Sequence, residues 1–371
     1  MGERNPLQQL SELGQSIWYD YIRRDLMADG ELTRLIEMDD LRGMTSNPTI
    51  FDKAISETSL YDQTILETLQ SAPNLDATEL FYRLAIEDIR LAADAFLAVY
   101  DETRGRDGYV SLEVSPRLAR DTEATVVEAH SLYERVRRPN LMIKVPATIE
   151  GLPAIETLIA DGVNVNVTLL FSVQRYQAVL EAYLRGLERR VEAGLPIDRI
   201  ASVASFFVSR VDTTIDKQLT ERGGDANALL GKSAIANAKL AYGHFQQVTS
   251  SERFQRLVSA GAQPQRLLWA STGTKNPAYS DVLYVESLVG PDTVNTLPPA
   301  TYEAFRDHGR ALGALGDGLV EAQALIDSLP QHGVDLDAVT DRLEVDGVQA
   351  FADSFQHLID GLDAKRRQLA A

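Results

Sequence analysis

The sequence predicts an α/β fold, a (β/α)₈ TIM barrel with additional helices. Eight short apolar runs are each followed by a longer stretch with helical spacing, which is typical of parallel βαβ units. Runs with little polar alternation, such as "VTLLF" from Val167, fit strands that are covered on both faces. A barrel of this kind needs roughly 250 residues, so the 371 residues of the chain leave room for insertions. A doubly wound open sheet would give a similar order of elements.

The candidate strands are short, rich in apolar residues and separated by stretches long enough to cross over a sheet. Most of them run into polar residues at their carboxyl ends. They are "SIWYDYI" from Ser16, "LRGMTSNPT" from Leu41, "DGYVSLEV" from Asp107, "NLMIKVPA" from Asn140, "GVNVNVTLLF" from Gly162, "RIASVASFFVSRV" from Arg199, "RLLWAST" from Arg266 and "DTVNTLP" from Asp292.

Helices are predicted between and beyond these strands. Residues Thr122 to Arg138 and Ser172 to Ala193 place apolar side chains three and four positions apart, with charges on the other face. Further helices are expected within Glu57 to Val99 and Tyr302 to Leu369. Neither stretch contains a linker-like Gly, Ser or Pro run. We therefore expect residues 1–371 to form one barrel domain with helical additions at the N-terminus, between the second and third strands, and at the C-terminus.

The composition predicts a globular protein without general affinity for polyanions. Hydrophobic residues make up 44% of the chain, and 54 acidic against 36 basic residues give a net charge of −18 at pH 7. This charge disfavours nucleic acid and anionic membranes, so a bound anion needs a local cluster of cations. The sequence contains no cysteine, which excludes disulfides and thiolate catalysis. No long apolar run occurs near the N-terminus, and we expect a cytoplasmic protein whose oligomeric state is open.

The histidines do not predict a metal site. No two of them stand at a spacing typical of zinc or iron ligands, so we expect no metal and no other cofactor. They are His130, His244, His308, His332 and His357.

Polar residues at the carboxyl ends of the candidate strands are the first candidates for a functional site. In barrels of this type, active sites form at that face. The candidates are Asp20, Thr45 to Asn47, Glu113, Lys144, Asn166 with Thr168, Ser205 with Arg210, and Ser271 to Lys275.

Lys144 is a lone lysine within the apolar run "LMIKVP". A lysine on a strand usually extends its ammonium group to solvent. A central parallel strand has no solvated face, however, and a buried amine would lose its water. A desolvated amine is what Schiff-base formation with a carbonyl needs. The spacing alone leaves both interpretations open.

Two carboxylates and two amides also interrupt apolar runs or follow them. Taken singly, Glu113 and Asp20 would be solvated or ion-paired side chains. Near one amine, they would form an acid/base set that moves protons while a C–C bond breaks. Asn47 before a proline fits a turn, whereas Asn166 in "NVNVT" needs a buried partner, for which a sugar hydroxyl is a candidate.

Arg210 and Lys275 are candidate phosphate ligands. Each alone would be an ordinary surface cation. Lys275 follows "STGT", which supplies hydroxyls and a glycine, and loops after the last strands of a barrel often hold phosphate. Together the two cations indicate a phosphate site.

Five motifs occur in order along the sequence. They are "TSNPTIF" at Thr45, "SLEVSPRLARDTEAT" at Ser111, "MIKVPAT" at Met142, "GVNVNVTLLFS" at Gly162 and "ASFFVSRVD" at Ala204. With these motifs the sequence resembles the transaldolases of the longer bacterial type, within the class I Schiff-base aldolases. The resemblance extends from about Ser16 to Pro298.

The resemblance implies an activity and a set of catalytic residues. Members of the family move a dihydroxyacetone unit from sedoheptulose 7-phosphate or fructose 6-phosphate to an aldose phosphate, in the non-oxidative pentose phosphate pathway. Lys144 matches the Schiff-base lysine, and Asp20 resembles the acid/base that takes the C4 hydroxyl proton. Glu113 matches the carboxylate that, through water and with Thr148, assists carbinolamine dehydration.

The remaining matches imply substrate contacts. At the seventh strand the sequence departs from many relatives, which have an arginine in a shorter turn, so we expect Lys275 in "ASTGTKN" to be the second phosphate cation. The matched positions are Asn47, Asn166 and Thr168 for substrate hydroxyls or the catalytic water, and Ser205 and Arg210 for phosphate.

Two alternatives remain open. A fructose 6-phosphate or deoxyribose phosphate aldolase would use the same amine chemistry and release a free product, although such barrels are usually compact. The chain could also be an inactive barrel or a sugar-phosphate-binding protein in which Lys144 only pairs with a carboxylate.

Overall fold

Eight parallel strands close into a barrel in the computed structural model, which describes residues 4–370. The strand order is sequential around the barrel, so the predicted (β/α)₈ fold is confirmed and the doubly wound sheet is excluded. All eight predicted strands are present. They are β1 (Gln15–Asp20), β2 (Leu41–Thr45), β3 (Tyr109–Glu113), β4 (Leu141–Pro146), β5 (Val165–Leu170), β6 (Ser202–Phe207), β7 (Arg266–Ala270) and β8 (Thr293–Leu297).

Helices surround this barrel, and three short 3₁₀ segments lie at Pro116–Leu118, Gly224–Leu229 and Leu329–His332. The helices of the first half are α1 (Pro6–Glu12), α2 (Arg24–Ala28), α3 (Glu31–Asp39), α4 (Pro48–Ser56), α5 (Asp62–Ser71), α6 (Ala77–Ala95), α7 (Leu97–Glu102), α8 (Thr122–Val136) and α9 (Gly151–Asp161). Those of the second half are α10 (Val173–Glu192), α11 (Ser209–Arg222), α12 (Ser233–Thr249), α13 (Glu252–Ser259), α14 (Leu283–Ser287), α15 (Pro299–His308), α16 (Leu319–Ser328) and α17 (Leu336–Ala370).

Local sequence signals explain where the two predicted barrel helices begin and end. The side chain of Asp121 accepts a hydrogen bond from a backbone N–H in the first turn of α8, and Ser172 does the same for α10. Helix α8 ends where Arg137 adopts a left-handed conformation, with φ of 53°. Both helices begin and end within two residues of their predicted boundaries.

The amino-terminal end of the barrel is closed by a buried ion pair. The Arg266 guanidinium lies 2.8 Å from the Asp107 carboxylate and donates to the Ser16 hydroxyl at 2.7 Å. Both charged side chains are less than a tenth exposed. Because each charge has its partner and a hydrogen bond, this ion pair is satisfied within the barrel and offers no unpaired charge to a ligand.

The long helix α17 packs across elements at the carboxyl end of the barrel. It contacts α4, α6, α11 and the carboxyl part of β5. At Gly347 an added Cβ atom would come within 2.9 Å of the Leu169 side chain, so the absence of a side chain permits this close seating. Ion pairs fix the helix at both ends: Glu344 lies 3.2 Å from Arg175, and Lys365 lies 2.6 Å from Asp62.

Candidate active site

The carboxyl ends of the strands surround a cavity of about 640 Å³. A larger cavity of about 990 Å³ lies outside the barrel between α10, α12 and α16, but it contains neither Lys144 nor any strand end. The smaller cavity is therefore the candidate active site. Seven of the ten predicted site residues line it: Asp20, Asn47, Lys144, Thr168, Ser205, Arg210 and Lys275.

The register of neighbouring strands brings the central polar residues side by side. Glu113 on β3 pairs with Lys144 on β4, and Lys144 pairs with Asn166 on β5. Since side chains at paired positions of a parallel sheet point to the same face, these three point into the barrel together. The two charged residues Glu113 and Lys144 and the amide of Asn166 thus form one cluster inside the barrel.

The Lys144 amine is held inside the cavity and does not reach bulk solvent. Its side chain is 6% exposed, its Nζ donates to the Ser46 carbonyl at 2.9 Å, and it lies 3.8 Å from Glu113 Oε2. The wall of the cavity therefore contains a nearly buried amine, with the Glu113 carboxylate 3.8 Å away. The interpretation in which Lys144 extends its ammonium group to solvent is therefore wrong for this structure.

Glu113 is a buried carboxyl that can hold a proton near neutral pH. Burial raises the pKa of Glu113 to about 7, the charge on Lys144 opposes this rise, and the charge on Asp20 adds to it. Its Oε2 atom has no hydrogen-bond partner among residues 4–370. A carboxyl with such a pKa can donate a proton to a reacting group and take it back.

Asp20 is the second carboxyl at the mouth of the barrel, and it lies in a hydroxyl network. The Thr45 hydroxyl is 2.7 Å from Asp20 Oδ1 and 2.7 Å from the Thr296 hydroxyl. Burial raises the pKa of Asp20, while Lys144, the Thr45 hydrogen bond and Arg210 oppose the rise. Burial is the larger effect, so the pKa of Asp20 is raised overall, which makes its carboxylate a stronger proton acceptor than that of an exposed aspartate.

The hydroxyls of Thr148 and Thr168 have different surroundings. Thr148 Oγ1 donates to the Ala119 carbonyl at 2.6 Å and accepts from the Gly151 N–H at 3.0 Å, so it serves the first turn of α9. Thr168 Oγ1 is buried, lines the cavity and has no hydrogen-bond partner within the described chain. Of the two, only Thr168 has a hydroxyl that is free to bind a water or a substrate.

Three polar side chains on neighbouring strands form a hydrogen-bonded chain. The Asn166 amide donates to the Ser111 hydroxyl at 3.0 Å, and the Ser205 hydroxyl donates to Asn166 Oδ1 at 2.6 Å. This bond orients Ser205 so that its oxygen can accept a further hydrogen bond. Asn47 caps α4 by accepting from the Ile50 N–H at 3.0 Å, which leaves its NH₂ group as a donor.

Arg210 follows β6 and faces the cavity, and among residues 4–370 no carboxylate is hydrogen-bonded to it. Its guanidinium carbon lies 5.2 Å from the centre of the Phe207 ring and 5.9 Å from that of Phe351. Burial lowers the pKa of Arg210, and Asp20 opposes this shift. The guanidinium remains the natural partner for a dianion that enters the cavity.

The loop that carries Lys275 is fastened to the helix that carries Arg210. The Tyr279 hydroxyl donates to Asp216 of α11 at 2.8 Å, and the Tyr284 hydroxyl donates to Asp212 at 3.0 Å. Lys275 itself is exposed at the rim of the cavity. The two predicted phosphate cations thus lie on segments that are held together.

The sequence reasoning missed several residues at the cavity. Phe351 comes from α17, in a region without a family motif, where an aromatic side chain is indistinguishable from ordinary core. The mouth also contains the exposed Lys53, and Arg23, which lies 2.6 Å from Asp25. Only the position of Lys53 directly after "TSNPTIFD" could have indicated that it lies at the mouth.

No metal-binding cluster of three or more His, Asp or Glu side chains occurs in the part of the chain that the structure describes. Within that same part, no helix combines the length and apolarity needed to cross a membrane.

Comparison with known proteins agrees with this geometry. The family model described as transaldolase/fructose-6-phosphate aldolase matches residues 17–362. The chain is 49% identical to a transaldolase of Thermobifida fusca, with 99% of each chain covered, and 50% identical to one of Saccharopolyspora erythraea, with 97% of each covered. It is 47% identical to transaldolase 2 of a Nostoc species over 99% of each. The chain belongs to the transaldolase/fructose-6-phosphate aldolase family.

Proposed function

We propose that this chain is a transaldolase that works through a Schiff base on Lys144. The observation that carries the proposal is the buried Lys144 amine 3.8 Å from Glu113, in a cavity that also contains an unpaired guanidinium. Sedoheptulose 7-phosphate or fructose 6-phosphate is the donor, an aldose phosphate is the acceptor, and the reaction belongs to the non-oxidative pentose phosphate pathway.

The reaction begins when the Lys144 amine adds to the C2 carbonyl of the ketose phosphate. The resulting carbinolamine loses its hydroxyl as water, for which Glu113 supplies the proton. Asp20 then takes the proton of the C4 hydroxyl, the C3–C4 bond breaks, and the aldose phosphate leaves. The three-carbon enamine remains on Lys144, and its electron pair forms the new bond to the carbonyl carbon of the acceptor, whose oxygen takes the proton back from Asp20. Water then hydrolyses the Schiff base, which releases the new ketose phosphate and frees the Lys144 amine.

Proton transfer is divided between the two carboxyls according to their surroundings. The raised pKa of Glu113 suits a proton donor at neutral pH. Burial raises the pKa of Asp20, which makes its carboxylate a stronger base, while the Thr45 hydroxyl, Lys144 and Arg210 stabilise the charged form against burial. No step in this sequence requires a metal or another cofactor.

We assign the hydroxyl that holds the catalytic water to Thr168, although the family resemblance suggested Thr148 for this role. The unpartnered Thr168 hydroxyl lines the cavity, whereas both hydrogen-bonding directions of Thr148 are used by backbone groups. Thr148 then has the structural role of starting α9. This assignment is the main change to the expected set of catalytic residues.

The remaining residues are proposed substrate ligands. Asn47 lines the cavity and is proposed to bind a hydroxyl of the sugar. Asn166 does not line the cavity and is proposed to act through Ser205, which can accept from the substrate while it donates to Asn166. Arg210 and Lys275 are proposed to hold the phosphate, since both line the cavity and the segments that carry them are joined by hydrogen bonds.

Borohydride trapping tests the nucleophile. Reduction in the presence of fructose 6-phosphate should add the mass of a sugar fragment to Lys144, and Lys144→Ala should acquire none. Lys275→Ala is the matched control: it removes another lysine of the cavity and should still be trapped. Sugar mass on the Lys144→Ala protein would disprove the assignment.

An acceptor assay separates transfer from simple cleavage. Purified protein is incubated with fructose 6-phosphate, with and without erythrose 4-phosphate, and free dihydroxyacetone and sedoheptulose 7-phosphate are measured. A transaldolase requires the acceptor for turnover. Release of dihydroxyacetone at the same rate without the acceptor would mean that the chain is an aldolase.

Two further properties are proposed. One cluster of buried apolar side chains extends from Leu7 to Leu362, which supports a single domain that includes the additional helices. A cytoplasmic location is supported by the sugar phosphates that the family uses.

A further inference from the structure

The Arg210 guanidinium is held by rings and not by an opposite charge. Among residues 4–370, no carboxylate is hydrogen-bonded to the Arg210 guanidinium. Asp20 lines the same cavity and acts on Arg210 only through its charge. An arginine without a partner has many rotamers, and fixing one of them costs conformational entropy when a ligand binds. The two rings reduce that cost before substrate arrives.

The two rings hold the Arg210 guanidinium without using its N–H groups. A cation–π interaction is made with the face of an aromatic ring and consumes no hydrogen-bond donor of the cation. Phe207 and Phe351 lie 5.2 and 5.9 Å from the guanidinium carbon, within the range of a cation–π interaction. The N–H groups can therefore still meet two phosphate oxygens.

Phe351 reaches this position because α17 is seated closely on the barrel. Phe351 is 6% exposed and lines the cavity, and Gly347 lies one turn earlier on the same face. The close approach of Gly347 to Leu169 brings this face over the mouth. The pair between Glu344 and Arg175 fixes the preceding turn. The ring is thus part of a rigid wall.

We infer that Phe351 is a positioning residue for the phosphate site: it holds the Arg210 guanidinium in the orientation that binds the substrate phosphate. The C-terminal helix therefore supplies part of the specificity for phosphorylated sugars. This inference rests on the proposed role of Arg210 as a phosphate ligand.

The test replaces Phe351 by leucine, and by methionine as a second variant that keeps most of the volume without a ring. For either folded variant, the KM for fructose 6-phosphate and the inhibition constant for inorganic phosphate should rise together, by about 3- to 10-fold for one lost cation–π contact. The kcat should change less than about twofold, because the ring does not touch the reacting carbons. Phe351→Tyr keeps the ring and should restore both constants.

The matched control is Phe355→Leu. Phe355 lies one turn further along α17, is 2% exposed, and covers the guanidinium of Arg117 at 5.5 Å instead of that of Arg210. Loosening α17 would affect both variants equally. If Phe355→Leu raises the inhibition constant for phosphate as much as Phe351→Leu does, the effect comes from helix packing and the inference is wrong.

Arg210→Ala separates this inference from the proposed function. An unchanged KM in Arg210→Ala would remove Arg210 from the phosphate site, and the inference would fall with it. A raised KM in Arg210→Ala with wild-type values in Phe351→Leu and Phe351→Met would overturn the inference alone. We expect instead that Phe351→Leu adds nothing further when Arg210 is already alanine.

Discussion

Replacing Glu113 by glutamine should slow Schiff-base formation at neutral pH without weakening phosphate binding. Glutamine keeps the size of the side chain and removes the transferable proton. At pH 7, a carboxyl with a pKa of about 7 is half protonated, whereas one with the usual value of 4.5 would be protonated in roughly 0.3% of molecules. Burial thus increases the proton-donating fraction of Glu113 by roughly 150-fold.

The expected loss at pH 7 is about 100-fold in the rate of Schiff-base formation, which is the lower range for a general acid. Enzyme and fructose 6-phosphate are mixed, the imine is reduced with borohydride at set times, and the fraction of modified protein is measured by mass. The ratio of wild-type to Glu113→Gln rates is followed from pH 6 to 9. Because other titrating groups affect both proteins, this ratio isolates Glu113.

The ratio should be constant at low pH and should fall about tenfold for each pH unit above 7, since Glu113 loses its proton there. Asp20→Asn should move this fall to lower pH, because the charge on Asp20 raises the pKa of Glu113. A ratio that does not depend on pH would refute proton donation by Glu113. An unmoved transition in Asp20→Asn would refute the electrostatic coupling of the two carboxyls.

Three other predictions concern the remaining site and the fold. Thr168→Ala should slow Schiff-base formation about tenfold with little loss of stability, because its hydroxyl has no partner within the described chain. Thr148→Ala should instead lower the free energy of unfolding by about 1–3 kcal/mol and leave kcat nearly unchanged. Equal kinetic effects of the two substitutions would contradict the assignment of the catalytic water to Thr168. Burial raises the pKa of Asp212 to about 7, so the folded state binds its proton more tightly than the unfolded chain and stability falls as pH rises from about 4 to 7. Urea titrations at pH 5 and pH 7.5 should show a smaller difference for Asp212→Asn, and an identical difference would exclude this linkage. Gly108 has a φ of 82°, and an added Cβ would come within 2.5 Å of a backbone nitrogen, so Gly108→Ala should cost at least about 2 kcal/mol. Gly194→Ala, with φ of 70° and open space around it, should cost about 1 kcal/mol, and equal costs would show that the contact does not matter.

The barrel strands could be predicted from the sequence because they are buried on both faces. A parallel strand that is covered on both faces needs a nearly continuous apolar run, and β4 and β5 are buried along their whole length. A charge in such a run is conspicuous, so Lys144 and Glu113 can be identified as candidates from the sequence alone. Their side-by-side register follows from the pairing of β3 with β4, which no local pattern contains.

The assignment of the second threonine could not be made from residue type. Thr148 and Thr168 both follow or end apolar runs, and both have one hydroxyl. What separates them is whether backbone groups already use that hydroxyl, which depends on the turn before α9. Hydrogen-bond partners of this kind are set by three-dimensional neighbours, so sequence spacing carries no information about them.

The helical additions could be predicted in outline but not in function. The stretch from Glu57 to Val99 contains breaks between α5, α6 and α7, where residues such as Asp76 cap a new helix. In the C-terminal stretch, Phe351 and Phe355 have the same spacing as any core residue of an amphipathic helix. Only contacts across the fold show that one of them faces Arg210 and the other Arg117.

The position of α17 at the end of the chain has a consequence for synthesis. Strand β8 ends at Leu297 and α17 begins at Leu336, so a ribosome completes the barrel before it makes Phe351. At that stage Lys144 and Glu113 have been synthesised, but the α17 side chains that join the common apolar cluster, such as Phe355 and Leu358, have not. Apolar surface on the outside of the barrel therefore stays exposed until the last helix is made, and removal of α17 by a protease would expose the same surface again.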